Sequence, residues 1–272
     1  MNTREQVRQF YDRIGWSQIG EGLYQNARYE DLRPVSQEYI HKCHLRVKRY
    51  LPPQGRFFLD AGSGPVQWPE YLSYSEDYRY RVCVDISITA LREARRRLGD
   101  HGLYVVADIT HLPFAEDTFE GLVSLHAIHH LPLQEHRYAY LELQRVLQRG
   151  GRGAIVNGWH HPLLTRLALP IISLMRRLRG LPPKKDRKAE EEQQGTFVAK
   201  MTPTWLKKEL HTCGIPFAIY PWRSFGPLLL RWFIRPEWGG KFWLRVLYWL
   251  EERFPRFFGE HGQYPIIVIW KE

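Results

Sequence analysis

The stretch Phe57-Phe58-Leu59-Asp60-Ala61-Gly62-Ser63-Gly64-Pro65 constrains this chain more than any other. Three apolar residues predict a short buried strand, an acid closes it, and two glycines come next at G-x-G spacing. Glycine turns the backbone sharply and lets it approach a ligand with no Cβ in the way. Pro65 suits the first position of a following helix, where its missing N–H is not needed. The free N–H groups at that helix start can face a polar or anionic group. G-x-G also occurs in ordinary tight turns, so the segment gains meaning from its downstream neighbours.

Downstream, Val82-Cys83-Val84-Asp85 reads as a second strand ending in an acid, where Rossmann-like folds bind ribose hydroxyls. Val105-Val106-Ala107-Asp108 reads as a third, and Phe119 to Leu125 as a fourth, followed by His126-Ala127-Ile128-His129-His130-Leu131-Pro132. Arg145-Val146-Leu147-Gln148-Arg149-Gly150-Gly151 ends a helix and leads into the strand Gly153-Ala154-Ile155-Val156-Asn157. Between strands two and three, Ser87 is placed to cap a helix whose Ala90, Leu91, Ala94 and Leu98 face the sheet. Strands alternating with helices imply an α/β fold, a mostly parallel sheet with helices on both faces.

From these marks, residues 56–158 resemble the class I S-adenosylmethionine (SAM)-dependent methyltransferases. They look closest to the type 11 branch that includes the quinone-biosynthesis C-methyltransferases. The resemblance rests on Leu59-Asp60-x-Gly62-x-Gly64, Asp108-Ile109-x-x-Leu112-Pro113-Phe114, His129-His130-Leu131 and the Arg145-to-Gly151 ending. It implies a Rossmann-like seven-stranded sheet with an antiparallel last strand, and SAM as cofactor. It also implies a site of Asp60, Ala61, Gly62, Ser63, Gly64, Asp85, Ile86, Asp108, Ile109 and His126. In that site Gly62 and Gly64 line the methionine end and Asp60 orients the ammonium. Asp85 accepts from both ribose hydroxyls, Asp108 accepts from the adenine amino group, and the Ile109 N–H meets a ring nitrogen. One position departs from the family, which usually carries a third glycine where this chain has Val66.

A methyl sulfonium is already electrophilic, so proximity can carry much of the barrier and no catalytic triad is required. His129 and His130 are the candidate acid/base residues, since neutral imidazole accepts a proton near neutral pH. Structural histidines packing a loop are the alternative. No metal site is expected, because His129 and His130 are adjacent and Cys43, Cys83 and Cys213 lack metal-ligand spacing. Two other classes share parts of this pattern. An NAD(P)-dependent oxidoreductase shares the glycine loop and the second-strand acid, but Gln67 replaces the third glycine of G-x-G-x-x-G and Asp108 has no role there. A non-catalytic membrane-surface binding protein on the same fold would use the basic, aromatic C-terminal region.

The chain divides by composition into a helical N-terminal cap (1–50), the SAM-binding core (51–158) and a substrate-side region (159–272). Thr3 with Gln6 reads as a capping box for a helix through about Arg13, and Ile40, Cys43, His44, Val47 and Leu51 mark a helix over about 37–50. The third region holds a basic, apolar helix at 162–179, a charge-rich lid or linker at 181–196 and closing strands at 216–221 and 264–270. Between those strands lies an aromatic insertion, 225–262. There Phe242, Leu244, Leu247, Tyr248 and Phe254 are expected to share a buried face, with Arg245, Glu251 and Glu252 partly outside. That insertion suggests a small, apolar acceptor. The net charge of +10 permits nucleic-acid or anionic-membrane binding. The absence of a nucleic-acid motif predicts no nucleic-acid partner, and peripheral membrane contact is expected instead. With an opening too polar for a secretory signal and no apolar run of bilayer length, a cytoplasmic protein is expected.

Overall fold

The computed structural model describes residues 3–16, 18–20, 23–25, 30–181 and 196–272. Most of the expected lid or linker at 181–196 therefore lies outside the described residues. Strands β1 (Gln18–Gly20) and β2 (Leu23–Tyr24) form a small antiparallel ribbon. The main sheet is built from β3 (Gly55–Ala61), β4 (Tyr78–Asp85), β5 (Gly102–Val106), β6 (Phe119–Leu125), β7 (Leu147–Val156), β8 (Phe217–Arg223) and β9 (Tyr264–Trp270). Their spatial order is β5-β4-β3-β6-β7-β9-β8. The first five in that order pair in parallel, and β9 runs antiparallel to both β7 and β8. This is the expected seven-stranded, Rossmann-like sheet with one reversed strand near its end.

The central strands are apolar on both faces because helices cover both. In β3, Phe58 and Leu59 point to opposite faces, and each is fully buried. Leu59 joins Val84, Leu122 and Ile155 under the helix His136–Val146, which contributes Ala139, Leu143 and Val146. Phe58 joins Val123, Ala154 and Ile266 on the other side, under Val47, Tyr74 and Trp222. Ser87 caps the helix Ile88–Leu98 by accepting the Ala90 N–H, and Thr202 caps Pro203–Thr212 by accepting that of Trp205. Such a cap contributes about 1 kcal/mol. The N-terminal helix ends its α-turns at Phe10 and continues as one π turn, Tyr11–Gly15, rather than running regularly to Arg13. β5 stops at Val106, so Asp108 sits in the loop beyond it.

The insertion folds as three helices, Pro227–Phe233, Gly240–Arg253 and Pro255–His261. Its orientation corrects the sequence expectation. Leu244 and Leu247 are buried against Tyr39, Ile40 and Cys43, but Phe242 and Phe254 are exposed and Glu251 is fully buried. The cause is Arg46, on the helix Gln37–Arg46, whose guanidinium is also buried. A buried cation requires a counter-charge. Glu251 supplies it at 2.9 Å, and accepts the Tyr39 hydroxyl at 2.6 Å and the Ser224 N–H at 2.8 Å. Turning Glu251 inward rotates the aromatic face of its helix outward.

Candidate active site

The turn after β3 carries three left-handed residues in five, Gly62 (φ 74°), Gly64 (φ 55°) and Val66 (φ 52°). The departure at Val66 is thus one of side chain only, since its backbone keeps the conformation glycine favours. The Val66 side chain is fully buried and packs on Cys83, Leu91 and Ala94. At Gly62 a Cβ would come within 2.2 Å of the Ala127 Cβ, so no larger residue fits. The N–H groups of Gly62 and Ser63 both donate to the Val84 carbonyl, at 2.7 and 3.0 Å, which folds the turn over the end of β4.

Asp85, at that end, accepts the Gly64 N–H on one oxygen (2.9 Å) and the Ser87 N–H on the other (2.8 Å). Burial lifts its pKa to about 6, against the lowering effect of those two bonds. Asp60 is held by the fully buried Arg81, whose Nε donates to it at 3.1 Å. Asp108 accepts both the N–H and the hydroxyl of Thr110 at 2.8 Å. The Arg4 guanidinium pairs with the same carboxylate and reaches Glu135 at 2.7 Å. Sequence reasoning misses Arg81 and Arg4, because nothing in their local spacing marks them.

One cavity of about 990 Å³ connects these groups. Asp60, Gly62, Ser63, Gly64, Asp85, Ile86, Asp108, Ile109, His126, His129 and His130 all line it. Ala61 does not; it is fully buried within the sheet core, as its alternation along β3 requires. The N-terminal segment closes one side. Trp16 lies over Gly64, stacked on Tyr11 with ring centroids 5.0 Å apart, and Asp12 accepts the Ser87 hydroxyl at 2.5 Å.

The histidines separate into different roles. His130 donates from Nδ1 to the Phe197 carbonyl (2.8 Å), so its Nε2 carries the lone pair and accepts the Tyr11 hydroxyl at 2.6 Å. Burial lowers its pKa to about 4. His129 is likewise pushed well down by burial, then by its neighbours His130 and His126, and its Nδ1 has no hydrogen-bond partner among the described residues. His126 adopts φ 58° and burial holds its pKa at about 3. Its ring meets Trp222 edge-on at 5.1 Å and Tyr264 at 5.4 Å.

Trp222 and Tyr264 continue the wall beyond His126, with Trp68, Tyr71, Glu30, Lys200 and Arg223. Arg223 is ion-paired with Glu30, and its guanidinium lies 5.1 Å from the Trp222 and Tyr264 ring centres. No residue of 225–262 lines the cavity, so the insertion is not the acceptor wall expected from its aromatic content. The strand ends that flank it, Trp222–Arg223 and Tyr264, line the cavity instead. Among the described residues no group of histidines, cysteines and acids could hold a metal ion.

The volume lies at the upper end of the range for small-molecule sites, about 300–1,000 Å³. Three acids at strand ends, apolar Ile86 and Ile109 beside them, and a glycine turn fit a cationic, ribose-bearing adenosine cofactor.

Comparison with known proteins agrees. Residues 59–155 match the family model described as a methyltransferase domain. The chain is 29% identical over 139 residues to the tRNA (carboxymethyluridine(34)-5-O)-methyltransferase alkbh8 of Xenopus tropicalis, covering 44% of this chain and 21% of that protein. It is 29% identical over 135 residues to the probable tRNA methyltransferase 9B of Mus musculus, covering 48% and 29% respectively. The matches therefore span less than a third of the length of those relatives. The structure of geranyl diphosphate C-methyltransferase from Streptomyces coelicolor A3(2) shares the fold, with a TM-score of 0.58 at 16% identity over 100% of this chain and 98% of that one. The tRNA methyltransferases overturn the expectation that nucleic acid is excluded as a partner. A missing sequence motif is weak ground, because a flipped base is bound by pocket shape and stacking rather than by a short motif.

Proposed function

The chain belongs to the class I SAM-dependent methyltransferases, and from that premise we propose that it methylates a small, largely apolar acceptor held against the wall that Trp222 and Tyr264 form edge to face. The observation that carries this reading is the continuity of one cavity from the strand-end acids to that aromatic wall. Bound SAM supplies an electrophilic methyl group. Asp85 and Asp108 would hold the adenosine end, Asp60 would face the ammonium, and the glycine turn would admit the methionine backbone. The aromatic wall holds the acceptor against the methyl group, and such positioning is worth up to about 7–11 kcal/mol. His129, whose ring lines the cavity, takes the acceptor's proton; His130 holds the Tyr11 hydroxyl in place. Burial keeps both rings uncharged at physiological pH, so His129 is able to accept a proton, and as a weakened base it leaves most of the rate to positioning.

A second reading is favoured by the tRNA methyltransferases among the relatives. The same wall would contact an extruded base, and Lys200 would meet the phosphate beside it. The test is a labelled-methyl assay with purified full chain, offering a lipid-soluble extract and a total tRNA fraction in parallel. Label in a lipid-soluble product that is lost in Trp222→Ala supports the first reading. Label in RNA alone replaces it with the second.

A further inference from the structure

The helix Leu163–Leu178 meets the rest of the protein along a narrow line, at Ala168 and Ile172. Beside that line runs a second apolar stripe at helical spacing, Leu167, Ile171, Leu174 and Leu178, which are 62%, 52%, 57% and 79% exposed. Scattered single exposed leucines need no explanation, but a continuous stripe does. The helix contains no acidic residue, and Arg166, Arg176, Arg177 and Arg179 lie along or just after it. Arg176 and Arg179 sit over the Trp232 ring, 6.0 and 5.6 Å from its centre. Leu164 ties the helix to the Leu244–Leu247 face of Gly240–Arg253, whose Phe242 and Trp249 are each 61% exposed.

We propose that this helix and its aromatic neighbours dock the protein on an anionic lipid surface. Exposed aliphatic side chains decide between the polyanions a basic face could meet. They partition into the acyl boundary of a bilayer, whereas phosphate and sugar contacts in RNA give them nothing. Arginines flanking the stripe reach lipid phosphates while their stems stay in the apolar layer. Among the described residues no helix is long and apolar enough to cross a membrane, so this one lies in the interface plane. Trp and Phe at the adjoining surface suit the headgroup depth. The inference does not depend on which acceptor enters the chamber, and a failed acceptor screen leaves its test intact.

The experiment is co-sedimentation of the full chain with phosphatidylcholine vesicles, with and without phosphatidylglycerol. The wild type is expected to bind the anionic vesicles, and to release as salt is raised. The Leu167→Asp/Leu174→Asp variant should bind at least about tenfold more weakly, by loss of apolar burial, while retaining SAM affinity by calorimetry as proof of folding. Arg166→Glu/Arg177→Glu should lose the preference for anionic over neutral vesicles. Equal binding by wild type and the leucine variant overturns the proposal, as does no vesicle binding by the wild type. A leucine variant that instead loses tRNA affinity, or abolishes a concentration-dependent dimer while vesicle binding persists, assigns the surface to RNA or to a second copy and also overturns it.

Discussion

The proposed contact of Asp85 with the cofactor predicts that binding is coupled to protons. Its carboxyl ordinarily titrates near 3.8, and burial moves it to about 6. At about 1.4 kcal/mol per pH unit this amounts to about 3 kcal/mol, an upper figure because the carboxylate opens onto the cavity. A folded-state pKa above the unfolded one gives stability that is fully present below pH 3.8 and lost as pH rises through 6. The cofactor-free protein should therefore lose up to about 3 kcal/mol from this group across that window. Ribose hydroxyls donating to Asp85 favour its charged form, so SAM should bind with release of a proton. Calorimetric titration with SAM at pH 5, 6 and 7.5 should show affinity rising with pH, by at most about tenfold per unit below 6. Buffers of differing ionisation enthalpy should report the released proton near pH 5.5. Asp85→Asn should bind SAM more weakly by roughly 1–3 kcal/mol and lose the pH slope. Equal SAM affinity at all three pH values in the wild type, or an unchanged slope in Asp85→Asn, would refute the reasoning.

Other variants test other parts of the structure. Glu251→Gln leaves the buried Arg46 only the half-exposed Glu252, at 2.9 Å, as counter-charge and should cost up to about 3–5 kcal/mol in urea unfolding; a loss below about 1 kcal/mol would mean Glu252 alone neutralises Arg46. Val66→Gly should be nearly neutral, because relief of about 1–3 kcal/mol of left-handed strain offsets about 1.5–3 kcal/mol of lost burial. A larger loss would show that the backbone there is unstrained. His129→Ala should keep SAM affinity and lose about a hundredfold in turnover. Tyr11→Phe, compared with His130→Ala, should give the same smaller loss if His130 acts only through the Tyr11 hydroxyl. Unequal losses would give His130 a role of its own.

The local sequence determined the order of strands and helices, because apolar period and punctuating residues act over a few positions. Phe57–Leu59, the glycine turn, Ser87 and Thr202 were all legible for that reason. So was the set of strand-end acids, since a parallel sheet brings successive carboxyl ends to one edge whatever the loops do. The neighbours of those acids were not. Arg81 holds Asp60 from 21 residues away, and Tyr11 meets His130 across 119. No short-range spacing encodes such a pair. Glu251 reads as a solvent-side residue on its own helix, yet it is buried because Arg46, 205 residues earlier, is buried opposite it. The same rotation left Phe242, Trp249 and Phe254 facing outward, and Trp222 and Tyr264 line the cavity. Sequence pattern identifies which faces are apolar. Which of them becomes core, and which charge must follow it inside, is settled only when distant helices pack and every buried ion has to find its partner.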